Sequence, residues 1–172
     1  MRKLSVLIAG LAVAAAALAV PGTARAANYN EWLTGNGLCM GVQGGDSQVV
    51  ANNPAPIITW ACDGTSNQFW SEDLNSGAAG YVLLRNGANP NECLSVLQMS
   101  QNLGAQLVIW QCKLTSQNQD QRWSIADAPT SFIINYNSGL MAIPWGSGQG
   151  ANVVQWDGRA QYHWSVADFV SF

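Results

Sequence analysis

Asn67-Gln68-Phe69-Trp70-Ser71 returns in altered form as Asp120-Gln121-Arg122-Trp123-Ser124, and again as Gln161-Tyr162-His163-Trp164-Ser165. A second tryptophan stands upstream of each copy, at Trp60, Trp110 and Trp156. Self-similarity at a regular interval is the sequence mark of a fold assembled from repeated supersecondary units. Working outward from the three copies defines units over about 28–75, 76–127 and 128–172.

The same order of segments runs through each unit. Unit one opens at Tyr29 and reaches Cys39-Met40-Gly41-Val42. Unit two opens at Tyr81-Val82-Leu83-Leu84 and reaches Cys93-Leu94-Ser95-Val96. Unit three opens at Phe132-Ile133-Ile134 and reaches Leu140-Met141-Ala142-Ile143. A Gly- or Asn-bearing turn follows, then an apolar run ending in tryptophan: Ile57-Ile58-Thr59-Trp60, Leu107-Val108-Ile109-Trp110 and Val153-Val154-Gln155-Trp156. Short runs rich in β-branched and aromatic residues, bounded by turn formers, describe strands. Beyond residue 28, no stretch holds a 3.6-residue apolar period over three turns. Four strands in each of three units predict an all-β domain of about twelve short strands. Closing them into a barrel removes open edges, which matters in a chain with only 10% charged residues.

The N-terminal stretch reads differently. Arg2 and Lys3 precede an apolar run from Leu4 to Val20, which Pro21-Gly22 breaks before Ala24-Arg25-Ala26. That order predicts a secretory signal peptide over 1–26 rather than a membrane anchor, since the run is short for a bilayer. The folded domain is then 28–172, about 145 residues, enough to bury a core as a single unit. Removal of Arg2, Lys3 and Arg25 leaves 4 basic residues against 10 acidic ones, a formal charge of −6. Such a surface does not attract nucleic acid or anionic lipid.

Four cysteines in a secreted chain point to disulfides, and they allow three pairings. The repeat selects Cys39–Cys62 and Cys93–Cys112, each inside its own unit. Loops of this length gain roughly 3–4 kcal/mol each in the chain-entropy account. The close cysteine pairs of a zinc site are absent, and no metal is expected.

Cys-x-x-Val, an apolar run ending Trp-x-Cys, and Asn/Asp-Gln-x-Trp together resemble the repeat of ricin-type (ricin B-like) lectins. The likeness covers essentially all of 28–172, with two full copies and a third that lacks both cysteines. It implies a β-trefoil of three pseudo-symmetric four-strand repeats: a six-stranded barrel capped by three hairpins. It also implies a secreted, bacterial-type carbohydrate-binding module. Unit three departs from the pattern. Leu140 stands at the first cysteine position, Gly158 at the second, and Tyr162 replaces the glutamine. This unit is expected to fold by packing alone.

A sugar offers C–H groups on one face and hydroxyls around its rim, so a site needs an aromatic plane and oriented amides or carboxylates. The resemblance implies three contributions per unit: an acid two residues after the first cysteine, the aromatic ending the apolar run, and an Asn before the Gln. The acid positions hold Gly41, Ser95 and Ala142, so the acid is missing from every unit. The aromatics are Trp60, Trp110 and Trp156. The Asn positions hold Asn67, Asp120 and Gln161, followed by Gln68, Gln121 and Tyr162. Asp46 and Asp120 are the candidates to replace the lost acids. Strand alternation puts Trp60, Trp110 and Trp156 on the face of the residue two positions earlier, so each suits a core as well as a site. Trp70, Trp123, Trp164 and Trp32 are expected in the core, Gln68 and Gln121 as internal braces of their turns, and Trp145 as an exposed platform.

Little points to catalysis. His163 is the only histidine and fills a variable position of the third Trp-Ser segment. No G-x-S-x-G, phosphate loop or dinucleotide fingerprint occurs. The expectation is a secreted, extracellular, monomeric carbohydrate binder with no catalytic residue, no cofactor and no membrane insertion. Its alternative is a non-lectin trefoil that binds protein or inhibits a hydrolase, a reading the three missing acids favour.

Overall fold

A computed structural model of the protein describes residues 29–51, 54–114, 119–126, 131–158 and 164–168. The expected signal segment over 1–26, and Gln161, Tyr162 and His163, lie outside the described residues. Unit one supplies β1 (Tyr29–Thr34), β2 (Leu38–Val42), β3 (Ala55–Ala61) and β4 (Trp70–Asp73). Unit two supplies β5 (Leu83–Asn86), β6 (Glu92–Val96), β7 (Leu107–Gln111) and β8 (Trp123–Ala126). Unit three supplies β9 (Phe132–Asn135), β10 (Met141–Pro144), β11 (Val153–Trp156) and β12 (Trp164–Asp168). One short helix, α1 (Asp46–Ala51), interrupts the β2–β3 connection.

The fold is a β-trefoil. Antiparallel pairs β12–β1, β1–β4, β4–β5 and β8–β9 form most of a ring. Two bridges close it: Val82 and Trp123 exchange N–H···O bonds of 2.8 and 3.0 Å, and Ser131 and Trp164 exchange bonds of 2.7 and 3.0 Å. Closure pairs the ring strands on both sides among the described residues, which suits a sparsely charged chain. The hairpins β2–β3, β6–β7 and β10–β11 cap the ring and touch one another through Ala55–Ile109, Ile58–Asn152 and Gln106–Val154.

The threefold character reaches the core. Trp70, Trp123 and Trp164 are buried, and each indole N–H donates to a hairpin carbonyl: Met40 at 2.9 Å, Leu94 at 3.0 Å and Ala142 at 2.9 Å. Each Trp therefore fills the core and ties its unit's last strand to its hairpin. Trp32, Leu84 and Ile133 occupy equivalent buried positions on the first strands. The Trp32 indole N–H has no acceptor among the described residues.

Cys39–Cys62 and Cys93–Cys112 are both disulfide-bonded. Unit three replaces the bridge with packing, in a register one residue away from the sequence expectation. Cys39 pairs with Trp60 and Cys93 with Trp110, and the residue that pairs with Trp156 is Met141, not Leu140. Without a cysteine to anchor it, the run Leu140-Met141-Ala142-Ile143 fits the repeat in two registers. The Trp164 bond to Ala142 and the Met141–Trp156 pair select one. Gly158 does hold the second position. A methyl group added there would stand 2.5 Å from Met141 Cε and 2.8 Å from its sulfur, so the thioether lies where the disulfide runs in the other units.

Candidate functional site

The register fixes three equivalent places for a site. Each combines the second residue after the cysteine position, the tryptophan ending the apolar run, and the turn before the Trp-Ser segment. Those turns are 3₁₀ segments at Ser66–Gln68 and Gln119–Gln121. The next unit holds each one from behind. Asn86 Nδ2 donates to Asn67 O at 2.9 Å, and Asn135 Nδ2 donates to Asp120 O at 2.8 Å.

Gln68 and Gln121 brace the turns. Gln68 Oε1 accepts from the Asp63 N–H at 3.0 Å, and its Nε2 donates to Ala61 O at 2.8 Å. Gln121 repeats this with Lys113 N at 2.8 Å and Gln111 O at 3.0 Å. Both side chains are buried. Their role is to hold the chain rather than to present a free amide.

In unit one a cavity of about 570 Å³ opens beside Trp60, with Asp46, Asp63, Thr65 and Asn67 on its walls. Trp60 is 45% exposed, against 0% for Trp70, which separates the platform from the core tryptophan. A side chain at Gly41, the position of the missing acid, would have to displace Gln68 and crowd Asn67. A methyl group there would stand 2.9 Å from Gln68 Cγ and 3.2 Å from Asn67 Nδ2. A carboxylate arrives instead from α1, where Asp46 Oδ1 accepts from the Asn67 N–H at 2.6 Å. Asn67 is otherwise engaged, donating from Nδ2 to Val42 O at 3.1 Å and accepting from Thr65 Oγ1 at 2.6 Å.

Unit two forms a cavity of about 380 Å³ beside the half-buried Trp110, with Asp120, Lys113 and Met99 among its walls. Here the polar groups have traded places. The hydroxyl stands on the strand, and the carboxylate stands at the Asn position. Ser95 Oγ donates to Asp120 Oδ2 at 2.9 Å. Burial raises the Asp120 carboxyl above its ordinary value, opposed by the Ser95 hydrogen bond and the Lys113 charge.

Unit three differs. In the corrected register Ile143, not Ala142, stands at the acid position, and it is buried. Trp156 is half-buried and packs on Trp145, with ring centroids 4.8 Å apart. Trp145 is exposed, as expected of a platform. Gln161, expected at the polar half of this place, lies outside the described residues.

Two contributions were not read from sequence. The first is a roof handed from unit to unit. Gly150 of unit three lines the unit-one cavity, and Pro54 of unit one lines the unit-two cavity. A methyl group added at Gly150 would lie 3.8 Å from Trp60, and one at Gly104 would lie 3.6 Å from Trp156. The second is a left-handed backbone after β2 and β6. Gly44 and Gly45 have φ of +87° and +77°, and Gln98 and Met99 have φ of +57° and +54°. Val42 and Val96 precede these pairs at matched strand positions, so the alignment of Gly44-Gly45 with Gln98-Met99 was a signal available in the sequence.

Among the described residues, Glu31, Cys39 and Cys62 form the one close group of metal-ligating types, and both of its sulfurs are in the disulfide. No described helix is long and apolar enough to cross a membrane.

Solved structures share this architecture at low identity. A designed threefold-symmetric protein, ThreeFoil, superposes with a TM-score of 0.71 at 21% identity, over 82% of this chain and 99% of that one. An exo-β-1,3-galactanase from Clostridium thermocellum gives 0.70 at 22% identity, over 87% of this chain and 31% of the enzyme. A Polyporus squamosus lectin, solved with a human-type influenza-binding epitope, gives 0.64 at 14% identity, over 84% of this chain and 50% of the lectin. The chain thus spans about a third of that galactanase and half of that lectin. No curated protein sequence matches the chain. The model of the ricin-type β-trefoil lectin domain matches residues 32–164. That span runs from the buried Trp32 to the third Trp-Ser tryptophan and contains both cavities, and the chain belongs to the ricin-type β-trefoil lectin domain family.

Proposed function

We propose that the protein is a secreted, non-catalytic carbohydrate binder with two unequal sites, in units one and two. A single observation carries this reading. Each of these units has a cavity in which an accessible tryptophan and a carboxylate share the wall, Trp60 with Asp46 and Trp110 with Asp120. A sugar ring stacks its C–H face on the indole, and its hydroxyls donate to the carboxylate. Asn67 adds the second hydrogen of its amide to the first site, while Gln68 and Gln121 keep the turns in place. In unit three, Trp156 with Trp145 offers a stacking surface to which Gln161 would add its amide. Cleavage after residue 26 and release as a monomer complete the proposal.

The test is a glycan and polysaccharide panel on the protein lacking 1–26, with Trp60→Ala and Trp110→Ala alongside. Retention competed by free sugar, and weakened by each substitution in a folded protein, supports the reading. No binding across the panel sinks it. A protein-binding trefoil is the second reading, favoured by the absence of an acid at Gly41 and Ser95. Recovery from culture fluid of one stoichiometric protein partner, indifferent to sugar, would decide for it. N-terminal sequencing of the exported protein tests cleavage, and sedimentation tests the monomer.

A further inference from the structure

The left-handed pair Gln98-Met99 sits where unit one has Gly44-Gly45. Left-handed φ is easy for glycine and unfavourable for side-chain-bearing residues. Two such residues in succession persist only where the surroundings hold them, and such outliers gather at ligand-binding places. Unit three holds the pair at Met99 and the segment that follows it. Asn137 of unit three donates from Nδ2 to Met99 O at 3.2 Å, and Gln155 donates from Nε2 to the carbonyls of Ser100 and Asn102 at 2.8 and 2.9 Å. Both side chains line the unit-two cavity, and Met99 is 55% exposed. An exposed thioether beside a half-buried indole is an apolar, adaptable surface. Leu97, Val96 and Pro54 extend it along the same wall. Unit one has Gly44-Gly45 there, with the Gln48 side chain against Gly44, and Asp46, Asp63 and Thr65 line the same cavity.

We infer that Met99 and Gln98 are specificity-determining residues of the unit-two site, which selects sugars carrying a methyl-ended substituent, while the unit-one site takes the unsubstituted ring. The inference rests on the carbohydrate-binding reading above. The methyl group lies against Met99 between the apolar wall and Trp110, and the Gln98 amide serves the polar group next to it: the acyl carbonyl, or the ring oxygen of a 6-deoxy sugar. An acetamido group, an O-acetyl group and a 6-deoxy carbon all present this chemistry.

The experiment uses the Trp60→Ala protein, so that unit two is read without unit one. Dissociation constants are measured for three matched pairs: N-acetylgalactosamine against galactose, 6-deoxygalactose against galactose, and acetylated against deacetylated xylo-oligosaccharide. At least one methyl-bearing member is expected to bind about tenfold tighter than its partner. The pair that shows this identifies the source of the methyl group. Adding Met99→Gly is expected to bring that ratio to about twofold or less, and Gln98→Gly to lower it by a smaller factor. Glycine suits the backbone at both positions, so thermal unfolding of these variants should show no loss of stability. Equal binding within every pair overturns the inference and leaves the parent reading standing, as does a preference that survives both glycine variants. Binding of no sugar at all, by this protein or by the parent, overturns both.

Discussion

Units one and three meet the same packing problem with different atoms. Unit one closes its hairpin with Cys39–Cys62, and unit three lays Met141 over Gly158. The same two units differ at the equivalent place: one faces its tryptophan with Asp46 across a cavity, the other has Ile143 buried and Trp145 packed at a tilt on Trp156. The repeat therefore conserves a shape and not a chemistry. The barrel and the buried tryptophan ask only for volume and one indole bond, which Cys and Met frameworks satisfy alike. A polar site needs particular groups in one place.

Removing the bridges tests the framework half of this contrast and carries the largest effect. The pair Cys93→Ala and Cys112→Ala should cost about 3 kcal/mol in denaturant unfolding, whereas Gly158→Ala, which only displaces the flexible end of Met141, should cost about 1 kcal/mol. Equal costs would mean that the Met141 packing is no looser than a bridge. Next in size, the core indoles are expected to be unequal. Trp70→Phe strands the Met40 carbonyl, so it should exceed Trp32→Phe by about 1–2 kcal/mol, since the Trp32 N–H already lacks an acceptor.

The site half of the contrast predicts smaller numbers. Asp46→Asn and Asp120→Asn should each weaken sugar binding at their own cavity by about tenfold, a difference of about 1.4 kcal/mol, as measured by titration in Trp110→Ala and Trp60→Ala backgrounds respectively. Unchanged affinity in either case would remove that carboxylate from the site. The smallest effect is one of pH. Burial raises the Asp120 carboxyl, so an ionised acceptor is lost as pH falls through a value above the ordinary aspartate range. Binding at the unit-two cavity should therefore fade on acidification earlier than an ordinary carboxylate would dictate. Stability runs the other way. A carboxyl raised in the folded state favours folding at acidic pH, and that contribution is lost as pH rises through its folded value. Asp120→Asn should accordingly leave stability at neutral pH unchanged or slightly higher.

How much was legible follows from where the signal lay. The Trp-Ser tryptophans revealed the barrel because each must repeat at every copy to fill one layer of a threefold core. The disulfides were legible because both partners of each bridge recur within a unit. Trp60 was ambiguous, since strand alternation alone suits a core or a platform, and only the cavity beside it decides. Unit three slipped by one residue because its apolar run has no cysteine to mark register. Asp46 could be suspected, but its approach to Asn67 depends on the short helix that turns it inward. The left-handed backbone at Gln98 and Met99 shows in the sequence only through their alignment with Gly44-Gly45, since neither residue type favours it. Its partners come from another unit: Asn137 bonds the Met99 carbonyl, and Gln155 bonds the carbonyls of Ser100 and Asn102 that follow.

The roof that passes from unit to unit has a consequence for inheritance. Gly150 of the third unit covers the first tryptophan, and Pro54 of the first borders the second cavity. A copied repeat therefore carries two halves: the floor of its own recess and the lid of its neighbour's. Excising one copy leaves an uncovered floor and an orphaned lid rather than a small binding domain. A single change in a lid segment alters what the adjacent copy recognises, so ligand preference can drift in a unit whose own residues have not mutated.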